Sequence, residues 1–110
     1  MPRYMLGEFE KAVIIALIRL KENAYGVSIR QELSARLGRE VSVGAVYTTL
    51  DRMEQKGYVS SWMGEPTAER GGRSKRFFRL EGDGALALSR SLALHEEAVA
   101  LIPGLGANHA

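Results

Sequence analysis

Five cations, Arg70, Arg73, Lys75, Arg76 and Arg79, fall within eleven consecutive residues that hold no acid. The chemistry open to such a cluster is ionic: charge-assisted hydrogen bonds to phosphate oxygens. Gly71 and Gly72 lie between its first two arginines. Two glycines permit the positive φ angles of a tight turn, and arginines beside such a turn suit the negative potential of a narrow minor groove. Elsewhere the charges cancel or reverse, with nine bases and nine acids over residues 1–69 and a net −3 over residues 81–110. The formal charge of +2 is therefore an average over unlike parts. A basic segment on a near-neutral body is the footprint of a phosphate-contacting element, but also that of a solvated basic loop, and the surrounding elements must decide.

Other chemistries drop out by residue type. With no cysteine, the chain has no disulfide framework, thiolate zinc site, iron–sulfur cluster or cysteine nucleophile. Its two histidines, His95 and His109, have no third ligand for a metal, and His95 is expected to be a structural histidine rather than a switch. There is no Gly-rich phosphate loop and no plausible Ser/His/Asp set, so neither an enzyme nor a cofactor is expected. The longest apolar run, Ala12 to Ile18, is seven residues, far short of the ~20 needed to span a bilayer. Glu8 and Glu10 precede that run and no small-residue cleavage site follows it, unlike a signal peptide. A cytoplasmic, non-membrane protein is expected. The 110 residues make one domain's worth of chain, able to bury roughly two-thirds of its unfolded surface.

Stepping along the chain, Leu6, Phe9, Val13, Leu17 and Leu20 recur at intervals of three and four, so a helix from about Glu8 to Lys21 is apolar over much of its circumference. Asn23 to Gly26 breaks the period. A second helix follows to Leu37, with Ile29, Leu33 and Leu37 on one stripe, Glu32 and Arg36 paired outside it, and Gly38 as its stop. Ser42 is a good N-cap for a third helix that runs to Lys56 and ends at Gly57. Beyond Gly57 the period drops to two: Tyr58 to Met63 and Lys75 to Leu80 predict a long-looped hairpin with Val59, Phe78 and Leu80 facing the core. A last helix is predicted from Asp83 or Gly84 to Ile102. The fold class is mainly α with a small β-hairpin, a winged helix-turn-helix plus one C-terminal dimerisation helix. Its parts are the DNA-binding unit, residues 1–80, and the helix and tail, residues 81–110.

The third helix brings the basic hairpin its context. Val43, Val46, Leu50 and Met53 form one stripe, and the opposite face holds Gly44, Ala45, Thr48, Arg52 and Gln55, with Thr49 on its edge. Small residues at the helix start allow close approach, the hydroxyls can bond phosphate or a base edge, and the Arg52 fork suits guanine or phosphate. Tyr47 lies at the border, where its ring packs and its hydroxyl points outward.

Ala24-Tyr25-Gly26 opening a helix, Gly44-Ala45-Val46-Tyr47-Thr48-Thr49-Leu50-Asp51-Arg52-Met53-Glu54 with Lys56-Gly57, and Gly71-Gly72-Arg73 before Phe77-Phe78-Arg79-Leu80 together resemble the PadR family of bacterial transcriptional regulators. The resemblance covers about Leu6 to Leu88. It implies a dimeric repressor on a palindromic operator, with helix 42–56 in the major groove and the wing, residues 64–76, on the minor groove or backbone. The implied DNA contacts are Tyr25, Ser42, Gly44, Ala45, Tyr47, Thr48, Thr49, Arg52, Gly71, Gly72, Arg73, Lys75 and Arg76. The short C-terminal segment resembles the small subgroup, whose last helix packs across the dimer against the first. Glu81 stands where the family usually has Thr, which leaves Asp83 to cap the last helix. Small members that bind planar drugs do so between tryptophans of that helix. No aromatic lies beyond Phe78 here and the single tryptophan is Trp62, so the drug-binding role is not transferred.

Along the last helix Ala85, Leu88, Leu92, His95, Val99 and Ile102 form one apolar stripe, and Ala87, Leu94, Ala98 and Leu101 a second. One can cover the chain's own core; the other calls for a partner. A C2 homodimer built on Phe9, Val13, Leu88, Leu92, His95, Val99 and Ile102 would set two recognition helices one DNA turn, ~34 Å, apart. The family's habit of answering to ligands implies a small-molecule effector, of chemistry the sequence does not name. The rival to a DNA-binding regulator is a winged-helix module for protein–protein contact, its basic wing on an acidic surface.

Overall fold

The computed structural model describes residues 6–65 and 74–104. Four helices and one antiparallel hairpin follow in the order α1 (Glu8–Leu20), α2 (Gly26–Leu37), α3 (Val43–Gln55), β1 (Val59–Met63), β2 (Arg76–Leu80) and α4 (Gly82–Leu101). This is the winged helix-turn-helix arrangement with one added helix. No helix among the described residues is long and apolar enough to cross a membrane.

α1 forms the floor of the core. Ala12, Val13, Ile14, Ala16 and Leu17 are all buried, which is why its sequence is apolar on several sides. The Glu10 side chain folds back to accept the Gly7 N–H at 2.9 Å, and acids in the first turn complement the helix dipole. α2 opens where the Ser28 hydroxyl accepts the Tyr25 N–H at 3.0 Å and donates to the Asn23 carbonyl at 2.6 Å. It closes at Gly38, whose φ of +67° is the left-handed conformation expected of a helix stop. Ile29 and Leu33 reach the core, whereas Leu37, expected on the same stripe, is exposed. Glu32 does not pair with Arg36; it accepts from Arg19 of α1 and so ties the two helices together.

α3 begins as expected, with the Ser42 hydroxyl accepting the Ala45 N–H at 3.1 Å. Its buried residues are Val46, Thr49, Leu50 and Met53. Two expectations are corrected here: Val43 is exposed and Thr49 is turned into the core. The inward face is rotated toward Thr49, which lines one cleft with Phe9 of α1.

The hairpin pairs Val59 with Leu80, Ser61 with Phe78, Trp62 with Phe77 and Met63 with Arg76. Val59 and Phe78 face the core and are buried, and Leu80 packs partly against it. The segment before α2, read in the sequence only as a break, joins this sheet. Tyr25 bridges Phe77, and the Phe78 N–H donates to the Ala24 carbonyl at 2.9 Å.

α4 starts one residue before the earliest expected position. Glu81 stands at the N-cap without a side-chain cap bond, its carboxylate instead accepting from the Ser60 hydroxyl, and Asp83 lies inside the first turn. The first two turns are anchored through Gly84, Ala87 and Leu88, the only buried residues of the helix. Beyond Leu88 no residue of the helix is buried, although it passes beside Leu6 and Lys11. The radius of gyration, 16.2 Å, exceeds the ~13 Å of a compact chain of this length.

Candidate nucleic-acid interface

The outer side of α3 exposes Ser42, Gly44, Ala45, Thr48 and Arg52, while Val46, Leu50 and Met53 seal the opposite side. A helix with one side fixed in the core presents the other rigidly, as a groove reader must. Thr49, expected on the edge of that surface, is 3 % exposed and does not belong to it. Tyr47 is half-buried, with its ring 6.3 Å from that of Phe78. Its hydroxyl does not point freely outward but lies over Gly26, where an added Cβ would come within 2.2 Å of it. Gly26 therefore lets α2 and the border of α3 approach closely.

The hairpin is held against the other flank of α3 by an ionic tie. Arg76 Nη2 donates to Glu54 Oε1 at 2.6 Å, Nη1 lies 3.3 Å from Asp51 Oδ1, and Nε donates to Ser61 Oγ at 3.2 Å. Ser61 in turn donates to Glu54 Oε2 at 2.7 Å, and the guanidinium lies 4.9 Å from the Phe78 ring centre. Arg76, expected to reach phosphate, is thus engaged inside the protein. Its two carboxylate partners neutralise it, and its place on the strand, in step with Phe78 and Leu80, turns it inward.

This arrangement predicts a stability effect rather than a loss of phosphate contact. Arg76→Ala should cost about 1 kcal/mol, a charged hydrogen-bond set discounted for partial exposure. Arg76→Lys should recover little of it, because an ammonium cannot reproduce the fork. Urea midpoints of the three proteins test this; an unshifted Arg76→Ala midpoint would show that the tie contributes nothing.

The outer face of the hairpin carries a row of rings and cations that the sequence reading did not single out. Trp62 stacks on Phe77 at 5.9 Å and 20°, and Phe77 meets Tyr25 edge-on at 5.6 Å. The Arg79 guanidinium stands 5.6 Å from the Trp62 ring and Lys75 Nζ 4.3 Å from that of Tyr25. Tyr25, an expected DNA contact, is half-buried as part of this row. Lys75 is exposed, at the base of the wing. Gly71, Gly72 and Arg73, with the rest of the wing tip, lie outside the described residues.

Of the residues expected to meet a second subunit, Val13 is fully buried in the chain's own core and Leu88 nearly so. Val13 cannot reach a partner's surface, because the core closes over that side of α1. Phe9 is half-buried, lining a cleft beside α3. Leu92, His95 and Ile102 are exposed and Val99 is half-buried. Two shallow grooves flank α4, one lined by Ile18, Leu88 and Leu92, the other by Leu6, Lys11, Leu94 and His95. Beside the second groove, a hydrogen bond from Lys11 holds the Glu8 carboxyl below the usual carboxylate value, with a smaller pull from His95. Among the described residues no group of His, Cys, Asp or Glu is placed to hold a metal ion.

Several solved structures share this architecture. RosR from H. salinarum is 23% identical over 94% of this chain and 86% of its own, with a TM-score of 0.68. A PadR-like transcription factor from Bacteroides fragilis is 24% identical over 82% of each chain, with a TM-score of 0.68. A PadR family transcriptional regulator from Eggerthella lenta is 20% identical over 83% of this chain and 79% of its own, with a TM-score of 0.63. At these identities the likeness is one of fold. Among curated proteins, none matches the chain in sequence. The model of the Transcriptional regulator PadR-like family matches residues 14–90, from the body of α1 through the hairpin to the anchored turns of α4. The match spans most of the chain and every element that frames α3, so the protein belongs to the PadR-like family and is a transcriptional regulator rather than an enzyme.

Proposed function

We propose that the protein is a dimeric, cytoplasmic repressor that binds a palindromic DNA operator, with α3 in the major groove and the wing on the flanking minor groove or backbone. The observation that carries this reading is the outer side of α3. Ser42, Gly44, Ala45, Thr48 and Arg52 are exposed together on a helix whose other side is locked in the core. The Arg76 tie fixes the base of the hairpin beside that helix. Lys75 and, by sequence, Arg70 and Arg73 then serve the phosphates, and Thr48 serves a base edge.

Exposed apolar side chains along the far half of α4 and at its end, Leu92, Leu94, Leu101 and Ile102, support the dimer. In water they gain by meeting a second copy, and a two-fold pair reads a two-fold operator. A small-molecule effector would lie against the same helix, at the interface between the two copies.

A single titration series tests the proposal. Binding to a labelled duplex selected from a random pool should weaken with salt, log K falling by about 0.9 per phosphate neutralised for each decade of salt. Sedimentation should find two protomers per duplex. Thr48→Ala should cost ~1 to 3 kcal/mol on the selected duplex and little on a scrambled one. Salt-independent binding, or equal losses on both duplexes, would count against the reading and its assignment of Thr48.

A further inference from the structure

The major groove of B-DNA is ~12 Å wide and walled by two phosphate backbones. The hairpin stands on the flank of α3 that carries Asp51 and Glu54, so in the proposed mode it addresses only one of those walls. On the opposite flank lies a cleft of about 580 Å3, bounded by α3, the turn that precedes it and the first turn of α1. Phe9 and Val41 are among its apolar lining residues, Thr48 among its hydroxyl-bearing ones, and Arg39 and Arg52 are its two arginines. Both arginines are exposed, and neither guanidinium has an ion-pair or hydrogen-bond partner among the described residues. Arg19, Arg76 and Arg79, by contrast, all face carboxylates. One acid, Glu40, also lines the cleft.

We infer that this cleft seats a phosphate of the DNA strand that the wing does not reach, held between Arg39 and Arg52. The inference rests on the DNA-binding reading and deepens it. Arg39 comes from the α2–α3 turn and Arg52 from ten residues beyond the N-cap of α3, so two cations converge on one space from separate elements. Planar guanidinium forks match phosphate oxygens in pairs, which a single cation on a smooth helix surface does not offer. Gly44 and Ala45 put no bulk between the start of α3 and the groove floor, so the backbone beside it can close on the cleft. Arg52 then serves the backbone, and base reading falls to Thr48 and its neighbours. Glu40 opposes the phosphate and limits how tightly any sequence is held.

The test is a salt titration of the full chain on a labelled duplex of mixed sequence, followed by fluorescence anisotropy. Replacing both Arg39 and Arg52 with Ala should reduce the slope of log K against log salt by about 0.9 per bound protomer, the share of one phosphate, and the affinity by on the order of tenfold per protomer near 0.1 M salt; each single alanine variant should show part of that loss. Arg39→Lys and Arg52→Lys should keep the slope, and Glu40→Gln should tighten binding. Both arginines are exposed, so the variants should melt with the unaltered protein, which circular dichroism checks. If the unaltered protein binds with a salt slope and neither alanine variant changes it, the phosphate seat is wrong while the DNA-binding reading stands. A loss confined to a selected operator, with the mixed duplex unaffected, would make Arg39 or Arg52 a base reader and also overturn it. If the unaltered protein shows no salt-dependent binding, the underlying function fails first.

Discussion

Replacing Phe78 with Ala should remove about 3–5 kcal/mol of folding stability, the range for emptying a buried aromatic site. Phe78 is 1 % exposed and heads the fully buried side chains by size. It is also where three parts of the protein meet. Its backbone N–H joins β2 to the segment before α2, its ring faces Tyr47 of α3, and the Arg76 guanidinium covers it. A domain of this kind is stable by only ~5–15 kcal/mol, so the loss is a large fraction of the whole. The urea midpoint should fall with the m-value unchanged. Phe78→Leu, which keeps most of the volume, should cost roughly 1.5 kcal/mol or less. A small loss in the alanine variant would mean that α3 and the hairpin can collapse onto the void, and that their mutual orientation is softer than the packing indicates.

The second large effect is expected at Gly84, where two principles predict opposite signs. Alanine is the better helix former by ~0.8–1 kcal/mol, so propensity alone makes Gly84→Ala stabilising. Packing argues the reverse. A Cβ at Gly84 would lie 2.3 Å from the Tyr58 carbonyl oxygen and 2.7 Å from Leu80 Cδ1. A backbone oxygen cannot swing aside, and this one already accepts the Glu81 N–H at 2.9 Å. Overpacking of this kind typically costs ~1–3 kcal/mol, and here it has to separate α4 from the base of the hairpin. Thermal melts should therefore show a lower midpoint for Gly84→Ala. Gly82→Ala, two residues earlier and facing open space, should be neutral or slightly stabilising. If the two variants behaved alike, close contact at Gly84 would not be what anchors the helix.

Ser42, Gly38 and Gly57 marked helix ends correctly because capping is local chemistry: a hydroxyl accepting a backbone N–H, and a φ above zero that costs glycine little. The hairpin was legible because alternation changes visibly where helix gives way to strand. Thr49 was misplaced because a helical wheel fixes the face only to within about one residue, and its rotation is set by whatever packs beside it. Arg76 was misplaced by charge, although the strand period puts it in step with Phe78 and Leu80, facing inward. The acids Asp51 and Glu54 on an otherwise uncharged or basic surface were the available sign that a cation was needed there. Val13 could not be assigned because α1 is apolar on several sides, and periodicity does not say which side meets the chain's own core. Arg39 went unnoticed as a lone base between Gly38 and Glu40; only folding brings it to Arg52.

The stacked row on the hairpin has an optical consequence. Trp62 is the sole tryptophan in the chain, and its indole sits on the first strand of the hairpin, against the Phe77 ring and the Arg79 guanidinium. Excitation at the red edge of the absorption band therefore interrogates one hairpin and nothing else in the molecule. The protein carries its own fluorophore on the hairpin proposed to meet DNA, so engagement of that hairpin can be followed without attaching a dye.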